Sequence, residues 1–320
     1  MLRKTVRVTL ILVFSLVIVM TGVILYICAA LPNVGPAPDI RISATPERLA
    51  RGKYLANSVS GCIACHSSRD GSRFSEPLIT GTLGKGGEVF PTEAGQVVAS
   101  NITPTHLGTW TDGEVFRAIT CGVTKAGKPL FPLMPYPNFA KMDTEDVYSI
   151  IAYIRTLEPL PYTTSEVTHL NFPMNIIVHT IPSKAEPGTR PDTSNELEYG
   201  HYLVNAASCR ECHSPMVKGK FIEEEEFSGG VAFTLSNGSR VHSGNITPDV
   251  ETGIGSWSKD VFIQRFKIAS SSSYMHPVKT GDEQTLMPWT MYATMTQRDL
   301  GAMYTYLKTV KPVKKAFIQN

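Results

Sequence analysis

The chain has 320 residues, enough for about two domains at roughly 150 residues each. Charged residues make up 18% and hydrophobic residues 42%, with a mean hydropathy of −0.04. Neither intrinsic disorder nor a multi-span membrane protein fits those values. The formal net charge is +2. Arg3, Lys4 and Arg7 outweigh it, so the rest of the chain is slightly acidic and lacks the basic excess of a nucleic-acid binder.

Near zero, the mean hides an asymmetry. Val8 to Leu31 carries no charged residue. As a helix rising ~1.5 Å per residue, that stretch spans the ~30 Å of a hydrocarbon core. It also exceeds the ~7–15 residues of a cleaved signal's apolar region, so residues 1–31 are expected to form an uncleaved anchor. The basic cluster precedes the stretch and no Lys or Arg follows until Arg41. The excess of positive charge on the cytoplasmic side then puts everything after Leu31 outside. Pro32, Pro36 and Pro38 predict a stiff exit linker over 32–44.

The remainder repeats itself. Cys62-Ile-Ala-Cys65-His66 recurs as Cys209-Arg-Glu-Cys212-His213, and Thr45, Leu49, Gly52, Tyr54 and Leu55 recur as Thr193, Leu197, Gly200, Tyr202 and Leu203. Asn101-Ile-Thr-Pro104 returns as Asn245-Ile-Thr-Pro248, Trp110 as Trp257, Met134-Pro-Tyr136 as Met287-Pro-Trp289, and Tyr153 as Tyr306. Six ordered matches read as a duplicated unit, 45–160 and 193–320, joined by a proline-rich extended connection over 161–192.

Each unit opens and closes with a helix signal. Thr45-Pro46 places a cap before proline at the first helical position, and Thr193 with Glu196 reads as a capping box. Asp143 with Asp146, and Thr296 with Asp299, mark the closing helices. Val147, Ile150, Ile151, Ile154 and Leu157 share one face, as do Leu300, Met303, Tyr304, Leu307 and Val310, so both stripes should face a core. Middle helices are expected over 110–119 and 256–268. No long alternating strand is visible. Gly52 and Gly200 each cost a helix about 1 kcal/mol against Ala, which close packing against Tyr153 and Tyr306 would explain.

Cys-x-x-Cys-His is the attachment motif of c-type haem. Two thiols at this spacing reach two vinyl groups on one porphyrin edge, and the adjacent imidazole reaches the iron. One such motif arises by chance in roughly 3 of 1,000 chains of this composition, and two far more rarely. A zinc knuckle would be a ligand short in each unit. A thioredoxin-like pair would need a βαβ setting that neither motif has. Cys62, Cys65 and His66, with Cys209, Cys212 and His213, are therefore the candidate attachment residues for two haem c groups.

A sixth ligand decides between electron transfer and an open, reactive iron. Met134 and Met287 precede a Pro-aromatic pair at equal distances from the closing helices. A thioether is a soft, neutral ligand that raises the potential, and these two are the candidate axial ligands. Met142 and Met295 are also a matched pair and are the runner-up ligands, though they abut the helix start, which leaves too short a loop over a haem face. Met275 and His276 have no partner in the first unit. His106, His169, His179, His201 and His242 are expected to be surface or core residues. Asn101 and Asn245 could bond a haem propionate or shape a turn. Trp110 and Trp257 read as core or haem-wall residues, and Glu223–Glu226 as a solvated acidic loop. Cys121 and Cys28 are left over.

With Arg51-Gly-Lys-Tyr-Leu55, Ser100-Asn-Ile-Thr-Pro104, Met134-Pro-Tyr-Pro-Asn-Phe139, Tyr153 and their partners in view, the chain resembles membrane-anchored dihaem cytochromes c. More narrowly, it is similar to the cytochrome c subunits of bacterial alcohol, gluconate and aldehyde dehydrogenases. The resemblance implies an all-α architecture: a transmembrane helix, then two tandem class I cytochrome c domains with His/Met ligation at Met134 and Met287. It implies an electron-transfer protein or subunit rather than an enzyme, tethered to the bacterial cytoplasmic membrane with its haems on the periplasmic side. Its partners would be a dehydrogenase donor and an oxidase or quinol-linked acceptor. Many members carry three haems, whereas this chain has two motifs. A dihaem peroxidase is the rival reading, and it would require one of the two methionines to be displaced.

Overall fold

The computed structural model describes residues 2–161, 165–235, 240–279 and 281–315. It is helix-rich. Helix α1, Leu2–Ala30, is unbroken, and Leu10, Phe14, Leu16 and Leu25 are each more than 60% exposed along it. An apolar helix with no protein cover around most of its circumference needs an apolar solvent, so α1 is a candidate membrane span.

Helix α2, Pro46–Tyr54, starts where Thr45 accepts from the Arg48 N–H. It continues as one π turn over Leu55–Val59. A short helix α3, Cys62–Cys65, follows. Strands β1, Val89–Thr92, and β2, Gly95–Val98, pair antiparallel. Helix α4 is Pro104–Leu107, and α5 is Asp112–Cys121. Thr111 and Glu114 satisfy each other's backbone N–H at the start of α5, a full capping box. Helix α6, Tyr136–Phe139, leads to α7, Thr144–Ile154, capped by Asp143.

The connection is not simply extended. Strand β3, His169–Leu170, adds to β2, and helix α8, Met174–Ile177, follows it with a 3-10 turn over Val178–Thr180. Helix α9, Glu196–Ala206, is capped by Asn195 rather than Thr193. The predicted capping box is absent because Thr193 instead accepts from Arg298, while Glu196 takes Lys259 and Thr305.

Helix α10, Cys209–His213, is followed by the hairpin β4, Met216–Val217, with β5, Lys220–Phe221. A second hairpin joins β6, Ala232–Thr234, to β7, Arg240–His242. Helices α11, Lys259–Lys267, α12, Trp289–Tyr292, and α13, Gln297–Leu307, complete the described chain, with Ser258 and Thr296 as caps.

Helix α2 packs on α7, and α9 packs on α13. The glycines make this possible. A Cβ at Gly52 would lie 1.8 Å from the Ser149 carbonyl oxygen and 2.9 Å from the Tyr153 Cβ. One at Gly200 would lie 2.0 Å from the Ala302 oxygen and 3.1 Å from the Tyr306 Cβ. The tyrosines are neighbours as expected, but the backbone carbonyl is the tighter limit. All five residues of the first predicted stripe are buried. In the second, Leu300, Met303 and Leu307 are buried, while Tyr304 and Val310 are half-buried against the same core.

The two halves meet in a near two-fold manner, so that equivalent residues exchange partners. Tyr54 donates to Asp299 at 2.5 Å, and Tyr202 donates to Asp146 at 2.6 Å. The backbone N–H of Thr296 then donates to the Tyr54 hydroxyl, and that of Asp143 to the Tyr202 hydroxyl. The symmetry breaks at Asp146, which also binds Arg51 and Arg190.

Candidate haem-attachment sites

Each Cys-x-x-Cys-His motif forms its own short helix. A left-handed residue precedes it, Gly61 at φ 67° and Ser208 at φ 55°, so the chain breaks direction before the first cysteine. None of the cysteines is in a disulfide. Burial pushes the Cys62 thiol up to about 12 and raises Cys209 as well. That is opposite to the low thiol pKa of thioredoxin-like pairs. Among the described residues, no group of three or more His, Cys, Asp or Glu side chains gathers into a metal-binding cluster. Each site offers two thiols and one imidazole on a single helical turn, a donor set that fits a covalently held haem.

The imidazoles are held alike. His66 Nδ1 lies 2.7 Å from the Ser100 carbonyl oxygen, and His213 Nδ1 lies 2.8 Å from that of Gly244. Donation by Nδ1–H leaves the Nε2 lone pair free for iron. Burial lowers the pKa of both rings, so the neutral, ligating form prevails at pH 7.

The Asn-Ile-Thr-Pro motif secures those carbonyls. Asn101 Oδ1 accepts from the Thr103 N–H at 2.8 Å and its hydroxyl at 2.7 Å, while Nδ2 donates to the Leu160 carbonyl. Asn245 accepts from Thr247 at 2.9 and 2.8 Å and donates to the Val313 carbonyl and the Thr252 hydroxyl. Both amide ends serve the protein itself. Of the two expected roles, the turn-shaping one is what these bonds perform.

Further matched residues escaped the sequence reading. The Gly86 N–H donates to the His66 carbonyl, and that of Gly229 to the His213 carbonyl. Both glycines have positive φ, and a Cβ on either would fall about 2.5 Å or less from the backbone next to Ser100 or Gly244. Ser67 Oγ accepts from the Gly84 N–H and Ser214 Oγ from the Phe227 N–H. The repeated Gly-Gly pairs at 86 and 229, and the serine after each motif histidine, were the available signals.

Met134 and Met287 open matching turns. The Tyr136 N–H donates to the Met134 carbonyl and the Trp289 N–H to that of Met287, each at 2.7 Å. The intervening Pro135 and Pro288 sit at φ −78° with ψ 50° and 63°, the inverse γ-turn. Both methionines are half-buried against the core, whereas Met142 and Met295 are 1% and 0% exposed. The Met287 loop is braced from the first half. Gln284 Oε1 accepts from the Ser75 N–H at 2.8 Å, Gln284 Nε2 donates to the Arg73 carbonyl, and Ser75 Oγ donates to the Met287 carbonyl.

Helix α12 touches the approach to both motifs. A Cβ at Gly61 would meet the Met291 sulfur at 3.8 Å, and Tyr292 donates to the Ala207 carbonyl at 2.8 Å. Asn138 and Asn205 exchange side-chain to backbone bonds across the same boundary.

The remaining candidates lie elsewhere. His276 stacks on Phe74, and the Met275 carbonyl accepts from Arg73. His106 leans on Trp110 and His201 on Tyr306. His169 and His242 sit in strands, and His179 meets Leu31. Trp110 and Trp257 are half-buried against the core. The acidic loop is exposed at Glu223 and Glu224, with Arg210 pairing with Glu223 and Glu226 and Lys315 pairing with Glu225 at the surface. Cys121 is buried and Cys28 exposed.

No family model matches the chain. It is 29% identical over 293 residues to the cytochrome c subunit of a quinone alcohol dehydrogenase from Gluconacetobacter polyoxogenes, covering 85% of this chain and 58% of the relative. It is 30% identical over 289 residues to the fructose dehydrogenase cytochrome subunit of Gluconobacter japonicus, covering 86% and 55%. A diheme c-type cytochrome of Cereibacter sphaeroides is 30% identical over 187 residues, covering 56% and 60%. The chain thus spans little more than half the length of the curated relatives it matches. Over most of its own length it is a homologue of the cytochrome c subunits of alcohol, fructose and gluconate dehydrogenases.

Proposed function

We propose that this chain is a membrane-tethered dihaem c-type cytochrome that carries single electrons from a periplasmic dehydrogenase, or another donor, to the respiratory chain. Residues 45–160 and 193–320 act as two class I haem domains, 161–192 joins them, and α1 is the anchor, with the haems on the periplasmic side of the bacterial cytoplasmic membrane. The observation that carries the reading is the twofold recurrence of one arrangement. Each half holds a Cys-x-x-Cys-His helix whose imidazole Nδ1 is fixed by a backbone carbonyl, and each has a methionine on an inverse γ-turn.

A haem bound at each motif supplies a one-electron Fe(III)/Fe(II) couple. Cys62, Cys65, Cys209 and Cys212 would hold it covalently. His66 and His213 present Nε2, and the carbonyls of Ser100 and Gly244 stop the rings from turning. Met134 and Met287 would supply thioethers to the iron, soft neutral donors that favour the reduced state and raise the potential. Fully buried Met142 and Met295 serve the core instead. No substrate bond is made or broken. The tether raises the effective concentration of membrane-bound acceptors.

The test is the purified full chain. It should carry two covalent haems and show a reduced α-band. Met134→Ala and Met287→Ala should each convert one low-spin haem to another ligation state. One haem only, or a native high-spin haem that turns over peroxide, would overturn the reading.

A further inference from the structure

The inter-half connection lies against α1, not away from it. Helix α8 and the 3-10 turn after it pack on α1. His179 Nδ1 lies 3.0 Å from the carbonyl oxygen of Leu31, the residue just past the end of α1, where helix carbonyls lack intrahelical partners. Ile24 and Ile27, one helical turn apart, are half-buried, whereas every other residue from Arg3 to Ala30 is exposed. Ile24 lies about 10 Å below Leu31 at ~1.5 Å per residue, within the apolar span itself.

The same segment turns apolar side chains outward. Phe172 is 77% exposed and Ile177 is 42% exposed. Phe172 just before α8 and Ile177 at its end gain nothing from exposure to water. Beside the last two turns of a membrane span, they enter the acyl boundary. The segment is not a loose flap. Its preceding residues are stitched into the first half's sheet: Gly95 pairs with Leu170, the Asn171 N–H donates to the Ala94 carbonyl, and the Val98 N–H donates to the Thr168 hydroxyl.

We infer that residues 172–177 are a second, interfacial membrane contact, inserted into lipid beside α1. Together with the β2–β3 pairing, this contact would fix how the first half sits on the bilayer rather than leaving it on a flexible stalk. The inference rests on α1 spanning the membrane.

The test uses the full chain in vesicles of phosphatidylethanolamine and phosphatidylglycerol. A hydrophobic aryl diazirine is photolysed in the bilayer, with glutathione scavenging any probe in the water. Trypsin then releases 8–41 from the anchor, 156–184 from the connection and 241–259, which holds exposed Val250. Label should appear in 8–41 and in 156–184, within 172–177, about tenfold above 241–259, since lipid excludes the scavenger. Phe172→Asp with Ile177→Asp should remove it from 156–184 alone. Label in 8–41 without label in 156–184 overturns this inference and leaves the anchor standing. An unlabelled 8–41 overturns the membrane reading itself.

Discussion

Asp146 and Asp299 occupy matching positions in the two halves, yet the structure makes them unequal. The Asp146 side chain is 1% exposed and accepts from Arg51 at 2.9 and 2.6 Å, from Arg190 at 2.7 Å and from Tyr202 at 2.6 Å. Among the described residues, no arginine pairs with Asp299, whose side-chain partner is Tyr54. Asp146→Asn removes the charge and turns an amide N–H₂ toward guanidinium donors. Removing one partner of a buried ion pair costs about 3–5 kcal/mol. The 42% exposure of the Arg190 side chain sets the expectation at the lower end of that range, since solvent screens its share. Asp299→Asn loses one charge-assisted bond, about 1–2 kcal/mol. Urea unfolding of the detergent-solubilised full chain, followed by far-UV circular dichroism at pH 7, should separate the two variants by about 2 kcal/mol. Equal losses would refute the assignment of Asp146 as the hub of the boundary. The pH dependence adds a second check. Burial alone would raise the Asp146 carboxyl, but the hydrogen bonds and charges of Arg51, Tyr202 and Arg190 outweigh it and hold it below its ordinary value of 3.8. A depressed carboxylate gives its stabilisation in full above the unfolded pKa and loses it as pH falls through the folded one. The gap between wild type and Asp146→Asn should therefore begin to narrow as pH falls below about 4 and close only once pH passes the lowered folded value.

Three further outcomes are expected. Gly52→Ala and Gly200→Ala each drive a methyl into a carbonyl oxygen at 2.0 Å or less. Each should cost at least the 1–3 kcal/mol of overpacking, against the small gain Ala brings to a free helix. Thermal melts showing neither destabilised would contradict the close crossing. Ser208→Gly relieves a left-handed residue and should stabilise by up to about 1 kcal/mol, read as a higher urea midpoint with unchanged slope. Asn101→Ala strips partners from the Thr103 N–H and the Leu160 carbonyl and should cost about 1–3 kcal/mol. It should also shift the spectrum of one haem, because the Ser100 carbonyl that orients His66 loses its support. Destabilisation without a spectral change would assign Asn101 to folding alone.

Much of the architecture was legible because its signals are local. Attachment of a porphyrin edge requires two thiols and an imidazole within five residues, and amphipathic faces repeat at helical spacing. Duplication then let each half vouch for the other, as Gly52 and Gly200 show. The capping box at Thr193 failed for the opposite reason. Thr193 and Glu196 have the right spacing, but Arg298 and Lys259 from distant helices claim their side chains.

By itself, the sequence determined the long apolar N-terminal helix, the two Cys-x-x-Cys-His motifs, the paired methionines and the core faces of the closing helices. Each follows from chemistry confined to a few neighbouring residues. Only the tertiary structure decided which carbonyl orients each histidine, since Ser100 and Gly244 act through backbone atoms that carry no side-chain identity. It alone paired Tyr54 with Asp299, 245 residues apart, and turned a proline-rich connection into a segment laid against α1. Those contacts depend on how distant surfaces meet, and hydrophobic spacing along a chain does not encode which surfaces those will be.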